Sequence, residues 1–355
     1  MHSTKCLTIV FLQASIALTG CNSVIDSDPA KRYDTDVPDL TAISHFFESA
    51  KVVSGPKIVD CTLSGGARTS CFSITVKSEP STYEAGPWCP GNIADGANAG
   101  GIWLDNGQVH AADGAFMKNL ATFYDDDEWQ IFDASTGKVH VTDSLQACQA
   151  AARPDVDPAY RNYCVQCLLE YIPEDATMTY VIPLTAQPAD HASPVAFAHS
   201  GVASNGILLD GPAPVDAILG AHTIAPFDPC GGHVNPHAGY HYHAVTDCLD
   251  STSPTSAHGA QIGIAMDGYW IFAHDLADGG DAGDLDRCNG HDAASIGYHY
   301  HAGSPGSNAI LGCLSAQYGC ALDDDRRACD ASLQRPPPPP GGAQPRNPEN
   351  GGQPG

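Results

Sequence analysis

Positive charge is scarce in this sequence: 16 Lys and Arg stand against 41 Asp and Glu among 355 residues, a net charge of −25. Such a chain cannot grip a phosphate backbone through basic patches, so no nucleic-acid partner is expected. An anionic lipid surface repels it too, unless a covalent anchor holds it there. No run reaches the ~18 apolar residues that a membrane-spanning helix needs. Neither a Walker nor a dinucleotide glycine motif is present, and no G-x-S-x-G marks a serine-nucleophile elbow. Charged residues of both signs make up only 16%, against roughly 25% in an average globular protein. What the chain does have is 43% hydrophobic residues, enough for a core, with 36 Gly and 27 Pro that disfavour long helices.

The N-terminus reads as an export leader, residues 1–20. Lys5 precedes an apolar stretch from Leu7 to Leu18 that is too short to span a bilayer. It ends in Leu18-Thr19-Gly20-Cys21, which resembles a bacterial lipobox, so Cys21 is the expected lipidation site. Asn22 follows it, and the expected address is the cell envelope, as an outer-membrane or cell-surface lipoprotein facing the extracellular side. A polar tether is expected over 21–40 and a disordered tail over 334–355, where Pro336 to Pro340 are consecutive.

With Cys6 and Cys21 set aside, 12 of the 14 cysteines remain. An even number in an exported chain reads as a disulfide framework. Local pairing is expected for Cys61–Cys71, Cys230–Cys248, Cys288–Cys313 and Cys320–Cys329. Cys164-Val-Gln-Cys167 has redox spacing, but its surroundings favour a structural disulfide. The fold class expected is mainly β with short helices (α+β), a single β-rich, disulfide-stabilised body. Its N-terminal part spans 41–174 and its functional part 175–333. Strand-like alternation runs through Ser70–Val76, Lys138–Val141, Met178–Ile182, Gly206–Leu209, Gln261–Ala265 and Tyr269–Phe272. Helical spacing marks Ala115–Tyr124 and Asp143–Ala152, with a third helix expected over Tyr160–Tyr171.

The strongest feature is a repeat at a 58-residue offset. The template C-x-G-H-x6-Y-H-Y-H-A runs from Cys230 through His233 to Tyr240-His241-Tyr242-His243-Ala244. It recurs from Cys288 through His291 to Tyr298-His299-Tyr300-His301-Ala302. On a strand, residues two apart share a face, so His241 and His243 point one way and the tyrosines the other, as do His299 and His301. Two imidazoles on one face suit a metal ion, and His233 or His291 supplies a third nitrogen. If the two copies pair antiparallel, four imidazoles converge on one ion. A histidine set favours copper or zinc. Cys230 and Cys288 are alternative thiolate ligands, though an oxidising compartment favours disulfides.

No Lys or Arg occurs between Arg161 and Arg287, while the same 125 residues hold 15 acids. Buried carboxylates there need backbone N–H groups, protonated His or cations as partners. The run Asp278 to Asp286, with Asp281 and Asp284 inside it, has the oxygen density of a calcium loop without EF-hand spacing. Asp267 is a candidate for orienting a ligating imidazole.

The repeat, with Ser204-Asn205-Gly206-Ile207, Asp228-Pro229-Cys230-Gly231-Gly232-His233, Ala265-Met266-Asp267-Gly268-Tyr269 and Asp284-Leu285-Asp286-Arg287-Cys288-Asn289-Gly290-His291 around it, resembles the YHYH domain family over roughly residues 175–315. The resemblance implies an exported domain found in bacteria and eukaryotes, and implies no activity. From the residues, the expected function is copper or zinc binding at the cell envelope. One alternative is a metal-dependent, hydrolase-like extracellular enzyme with Asp267 or Asp286 as general base. The other is a glycan- or matrix-binding module that uses the tyrosines as stacking faces. Whether the chain is an enzyme is left open.

Overall fold

The computed structural model describes residues 40–333, apart from 154, 237–238, 250–257, 277–278, 295 and 324–327. The leader, Cys21, most of the tether and the tail therefore lie outside the described residues. The chain enters through a short helix, α1 (Leu40–Phe46), and a long hairpin of β1 (Val52–Thr62) and β2 (Arg68–Val76). A smaller hairpin of β3 (Ile102–Asp105) and β4 (Gln108–Ala111) precedes helices α2 (Gly114–Phe123) and α3 (Leu145–Ala151). Asp113 and Ser144 cap these two helices by accepting from Phe116 N and Ala147 N. Strands β5 (Met178–Pro183) and β6 (Pro188–Ser193) follow.

Eight strands then build the main sheet. They are β7 (Gly201–Ala203), β8 (Leu208–Leu209), β9 (Gly232–Asn235), β10 (Gly239–Tyr242), β11 (Gln261–Ala265), β12 (Trp270–Phe272), β13 (Gly290–Ala293) and β14 (Gly297–His301). Helix α4 (Val215–Gly220) lies between β8 and β9. At the end, β15 (Leu314–Ala316) pairs with β6, and β16 (Cys320–Leu322) completes the sheet β1-β2-β5-β16.

The order of the main sheet, β13-β14-β12-β11-β7-β8-β10-β9, reads the same from either end as two copies of one four-stranded unit. In each unit a first hairpin (β7–β8 or β11–β12) joins a second (β9–β10 or β13–β14) through a parallel pair, β8 with β10 or β12 with β14. The units meet where β7 pairs antiparallel with β11, with Gly201 opposite Ala265 and Ala203 opposite Gly263. A pseudo-twofold axis between Val202 and Ile264 therefore relates the halves. First hairpins correspond at an offset of 62 residues, as Gly201 does to Gly263. Second hairpins correspond at the 58 residues that separate His241 from His299. The connection inside the second unit is thus four residues shorter, which hides half of the repeat from a fixed-offset comparison.

One face of the sheet is core. Phe47, Phe72, Ile74, Ile207, Leu209, Ile262, Ile264, Tyr240, Tyr242 and Tyr300 belong to a single buried cluster that ties the N-terminal hairpin to the main sheet. Each unit holds its tyrosines with carboxylates and amides. Tyr240 donates to Asp228 Oδ2 at 2.7 Å and Tyr298 to Asp286 Oδ2 at 2.7 Å. Asn205 Nδ2 donates to the Tyr242 hydroxyl at 2.8 Å, while Tyr300 donates to Asp267 Oδ2 at 2.7 Å. The other oxygens of Asp228 and Asp286 accept two backbone N–H groups each, from Cys230 and Gly232 and from Cys288 and Gly290. These partners are what the buried acids use where no Lys or Arg is at hand.

All 12 cysteines expected to pair do so. Cys61–Cys71, Cys230–Cys248, Cys288–Cys313 and Cys320–Cys329 form as anticipated, which removes Cys230 and Cys288 as thiolate ligands. The cysteines of the C-x-x-C do not bond to each other: Cys164 pairs with Cys89 and Cys167 with Cys148. The helix expected over Tyr160–Tyr171 reduces to 3-10 turns at Pro158–Tyr160 and Leu169–Tyr171. Between them Cys164 bridges Val141 and Ile224, and Val165 N donates to Ile224 O, so the chain is drawn out straight. Lys138–Val141 makes isolated bridges rather than a strand.

Gly232 and Gly290 occupy equivalent positions at which a Cβ would fall 2.3 Å and 2.2 Å from the hydroxyl of Tyr240 and Tyr298. Tyr240 is fully buried and cannot move aside, whereas Tyr298 is only partly buried. Gly232→Ala should therefore cost about 2–3 kcal/mol and Gly290→Ala about 1 kcal/mol. Urea denaturation of the two variants checks the order, and equal losses would contradict it.

Candidate metal centres

The opposite face of the outer hairpins carries the histidines. In the first unit β9 and β10 pair with His233 directly opposite His241, and alternation along the strand puts His243 on the same face. In the second unit His291 stands opposite His299, with His301 beside it. Ring centroids lie 4.7, 5.0 and 4.9 Å apart in the first trio and 4.6, 5.2 and 5.3 Å apart in the second. His258 joins the second trio, 5.0 Å from the His299 ring and 5.5 Å from that of His291. In each group one nitrogen per ring lies within 4.8 Å of all the others.

The anticipated convergence of both copies on one ion does not occur. β10 and β14 lie on opposite sides of the axis and pair parallel with β8 and β12, not with each other. Among the described residues there are two histidine clusters, one per unit.

Main-chain carbonyls fix how the rings face. His241 Nδ1 lies 3.1 Å from Gly239 O and His299 Nδ1 2.9 Å from Gly297 O. His243 Nδ1 lies 2.6 Å from Gly211 O and His301 Nδ1 3.0 Å from Ala273 O. A carbonyl only accepts, so each Nδ1 carries the proton and each Nε2 of a neutral ring keeps its lone pair. The Nε2 atoms then meet: His233 to His241 at 3.2 Å and His291 to His299 at 3.0 Å. His301 Nε2 is buried with no hydrogen-bond partner. Four nitrogens at a zinc-like distance of about 2.0–2.1 Å in a tetrahedron stand about 3.3 Å apart. The His233–His241 and His291–His299 separations lie near that edge, and the orphaned nitrogen of His301 fits a missing electrophile.

Burial keeps these rings neutral. It pushes His243 and His301 down to about 4, and His241 and His299 below the ordinary imidazole value. His233 falls well below it, through burial and then through His241 and His243. Phe227 packs on His233 and His243, and Phe272 on His299 and His301. Neutral imidazoles in an apolar wall are a nitrogen donor set for zinc, copper, nickel or iron rather than for calcium or magnesium.

The acidic candidates take other roles. Asp267 is fully buried and accepts from Tyr300 and Ala316 N rather than from an imidazole among the described residues; burial raises it to about 6. Asp286 is committed to Tyr298 and two backbone N–H groups. Neither is placed as a general base. Asp284 lines a shallow hollow with Asp286, Asp292 and His291. Asp281 groups with His274 and Asp275 at the surface, and Asp278 lies outside the described residues. Tyr240, Tyr242 and Tyr300 are fully buried, so they offer no stacking face to a glycan.

Sequence reasoning missed His258, which has no counterpart in the repeat and so gave no signal. It also missed Asp228 and Asn205 as supports, although Asp228 and Asp286 match at the 58-residue offset. Tyr83 was missed as well; its hydroxyl contacts those of Tyr240 at 2.9 Å and Tyr242 at 2.5 Å from the N-terminal part.

Imidazole nitrogen shifts of the metal-free protein test this arrangement. His241, His243, His299 and His301 should all appear as the Nδ1–H tautomer. Because burial lowers their pKa, His243 and His301 should stay neutral at pH 5.5 and take up protons only near pH 4. Titration of both near 6.5, or an Nε2–H tautomer, would contradict the geometry.

Residues 179–283 match the family described as YHYH protein. The matched stretch contains His233, His241, His243 and His258 and stops before His291, His299 and His301. No curated protein and no solved structure matches the chain. Among the described residues no helix is long and apolar enough to cross a membrane. On its first histidine cluster, its hairpins and this match, the chain carries a YHYH domain.

Proposed function

We propose that this protein binds two transition-metal ions, copper or zinc, one in each half of the pseudo-symmetric sheet. His233, His241 and His243 would hold the first. His258, His291, His299 and His301 would hold the second. The observation that carries this reading is the facing of Nε2 atoms in both clusters while Nδ1 of His241, His243, His299 and His301 is tied to a carbonyl. Two Nε2 atoms 3.0–3.2 Å apart are joined either by an N–H···N hydrogen bond, with His233 or His291 as the Nε2–H tautomer, or by a cation that both lone pairs ligate. Burial holds His233, His241, His243, His299 and His301 in the neutral form that coordinates a cation, and the buried, partnerless Nε2 of His301 favours the cation. The supporting carbonyls do for each imidazole what outer-shell partners do in metal proteins: they set tautomer and direction.

The leader and Cys21 support an exported, lipid-anchored protein at the cell envelope, where sequestration, delivery or stabilisation by metal are the roles open to such a pair of sites. The calcium reading has less support, because Asp286 is already satisfied by N–H and O–H donors.

Protein purified without a polyhistidine tag and equilibrated with zinc should hold two ions per chain. His243→Ala and His301→Ala should each lose one ion, and the double variant both. Loss of both ions in either single variant would indicate a shared centre, and no bound zinc or copper in the parent would overturn the proposal.

A further inference from the structure

The two clusters are related by symmetry but not identical, and the difference falls at one position. The 62-residue offset of the first hairpins maps His258 onto Ala196. In the second unit that position supplies a fourth imidazole. In the first unit it supplies a methyl group, which lines a cavity of about 530 Å³ together with His233, His241 and His243. Among the described residues the first cluster thus has three nitrogens and opens onto a cavity of ligand size. The rest of that wall is largely apolar, with Trp88, Val165, Pro212 and Ile218.

Charge specifies what fits there. Three neutral imidazoles do not offset a divalent ion. Asp210 on the cavity wall is occupied by His199, 2.6 Å away, and by Gly211 N at 2.7 Å. In the second unit the position equivalent to Asp210 is Phe272, which packs on the imidazoles instead. An incoming ligand therefore meets a net positive centre at the end of an apolar chamber.

Resting on the two-ion reading above, we propose that the clusters divide their work. The second is a coordinatively complete four-imidazole site that stabilises its half of the sheet. The first keeps one position open and binds a small molecule with an apolar body and an anionic oxygen head, a carboxylate or hydroxamate, seated in the cavity.

The test uses the full chain loaded with cobalt(II), whose visible absorption reports coordination, and benzohydroxamate as the probe. Cobalt stoichiometry is measured first, and two ions per chain are expected. Fewer than two would defeat the two-ion reading itself, and this inference with it. Benzohydroxamate should then alter the absorption of one cobalt equivalent only, and acetohydroxamate should bind at least tenfold more weakly because it leaves the apolar chamber unfilled. His241→Ala should abolish the response. His258→Ala, which removes a ring from outside the paired strands, should make the second ion respond as well. With two ions bound, a response from both or from neither in the parent protein, or equal affinity for the two hydroxamates, would overturn the division of work.

Discussion

Everything at the candidate centres depends on a hydrogen bond from imidazole to main chain. Gly239, Gly211, Gly297 and Ala273 each present a carbonyl to a histidine Nδ1. Those four bonds turn four lone pairs inward, and the sheet turns them toward the histidine of the neighbouring strand. The strand geometry alone puts His241 and His243 on one face. It does not decide which ring nitrogen faces the cluster, and a ring flipped at χ2 would offer a donor where a ligand is wanted. The tyrosine face serves the same end from behind. Asp228, Asp286, Asn205 and Asp267 hold the hydroxyls, so the strands cannot roll without leaving a buried carboxylate or phenol unpaired, at about 1–3 kcal/mol for each group.

The fold makes use of duplication without making the copies equal. Equivalent strands sit at equal distances on either side of the axis between Val202 and Ile264, so only β7 and β11, which flank it, can pair with their own counterparts. β10 and β14 are kept apart by the four strands between them. Separation permits the two clusters to differ: one includes His258, and the other has a chamber beside Ala196. In this account one unit serves the stability of the sheet, and the other is released for a ligand.

Much of this was legible in the sequence. Alternation in Tyr240-His241-Tyr242-His243 gave the faces, the upstream His233 and His291 gave the third nitrogen of each trio, and the even cysteine count with close spacing gave the framework and four pairs, but not Cys89–Cys164 or Cys148–Cys167. A repeat states equivalence and not adjacency, so the expectation of one shared ion had no support in the pattern itself; the axis decides, and its position follows from the short strands Gly201–Ala203 and Gln261–Ala265. The same limit applied to Asp267 and Asp286. Carboxylates beside histidine strands suggest imidazole partners, but those two lie on the tyrosine side, where phenol hydroxyls and backbone N–H groups reach them first. His258 enters from a loop outside the repeat, and no period in the sequence could mark it. The helix expected near Tyr160–Tyr171 failed because two disulfides leading to Cys89 and Cys148 and a bridge to Ile224 override local propensity.

X-ray absorption at the metal edge of the fully loaded protein tests the central claim most directly. The account predicts a first shell dominated by nitrogen at about 2.0–2.1 Å, with the outer-shell scattering of several imidazoles per ion. A first shell of carboxylate oxygens or of sulfur, without imidazole scattering, would contradict it.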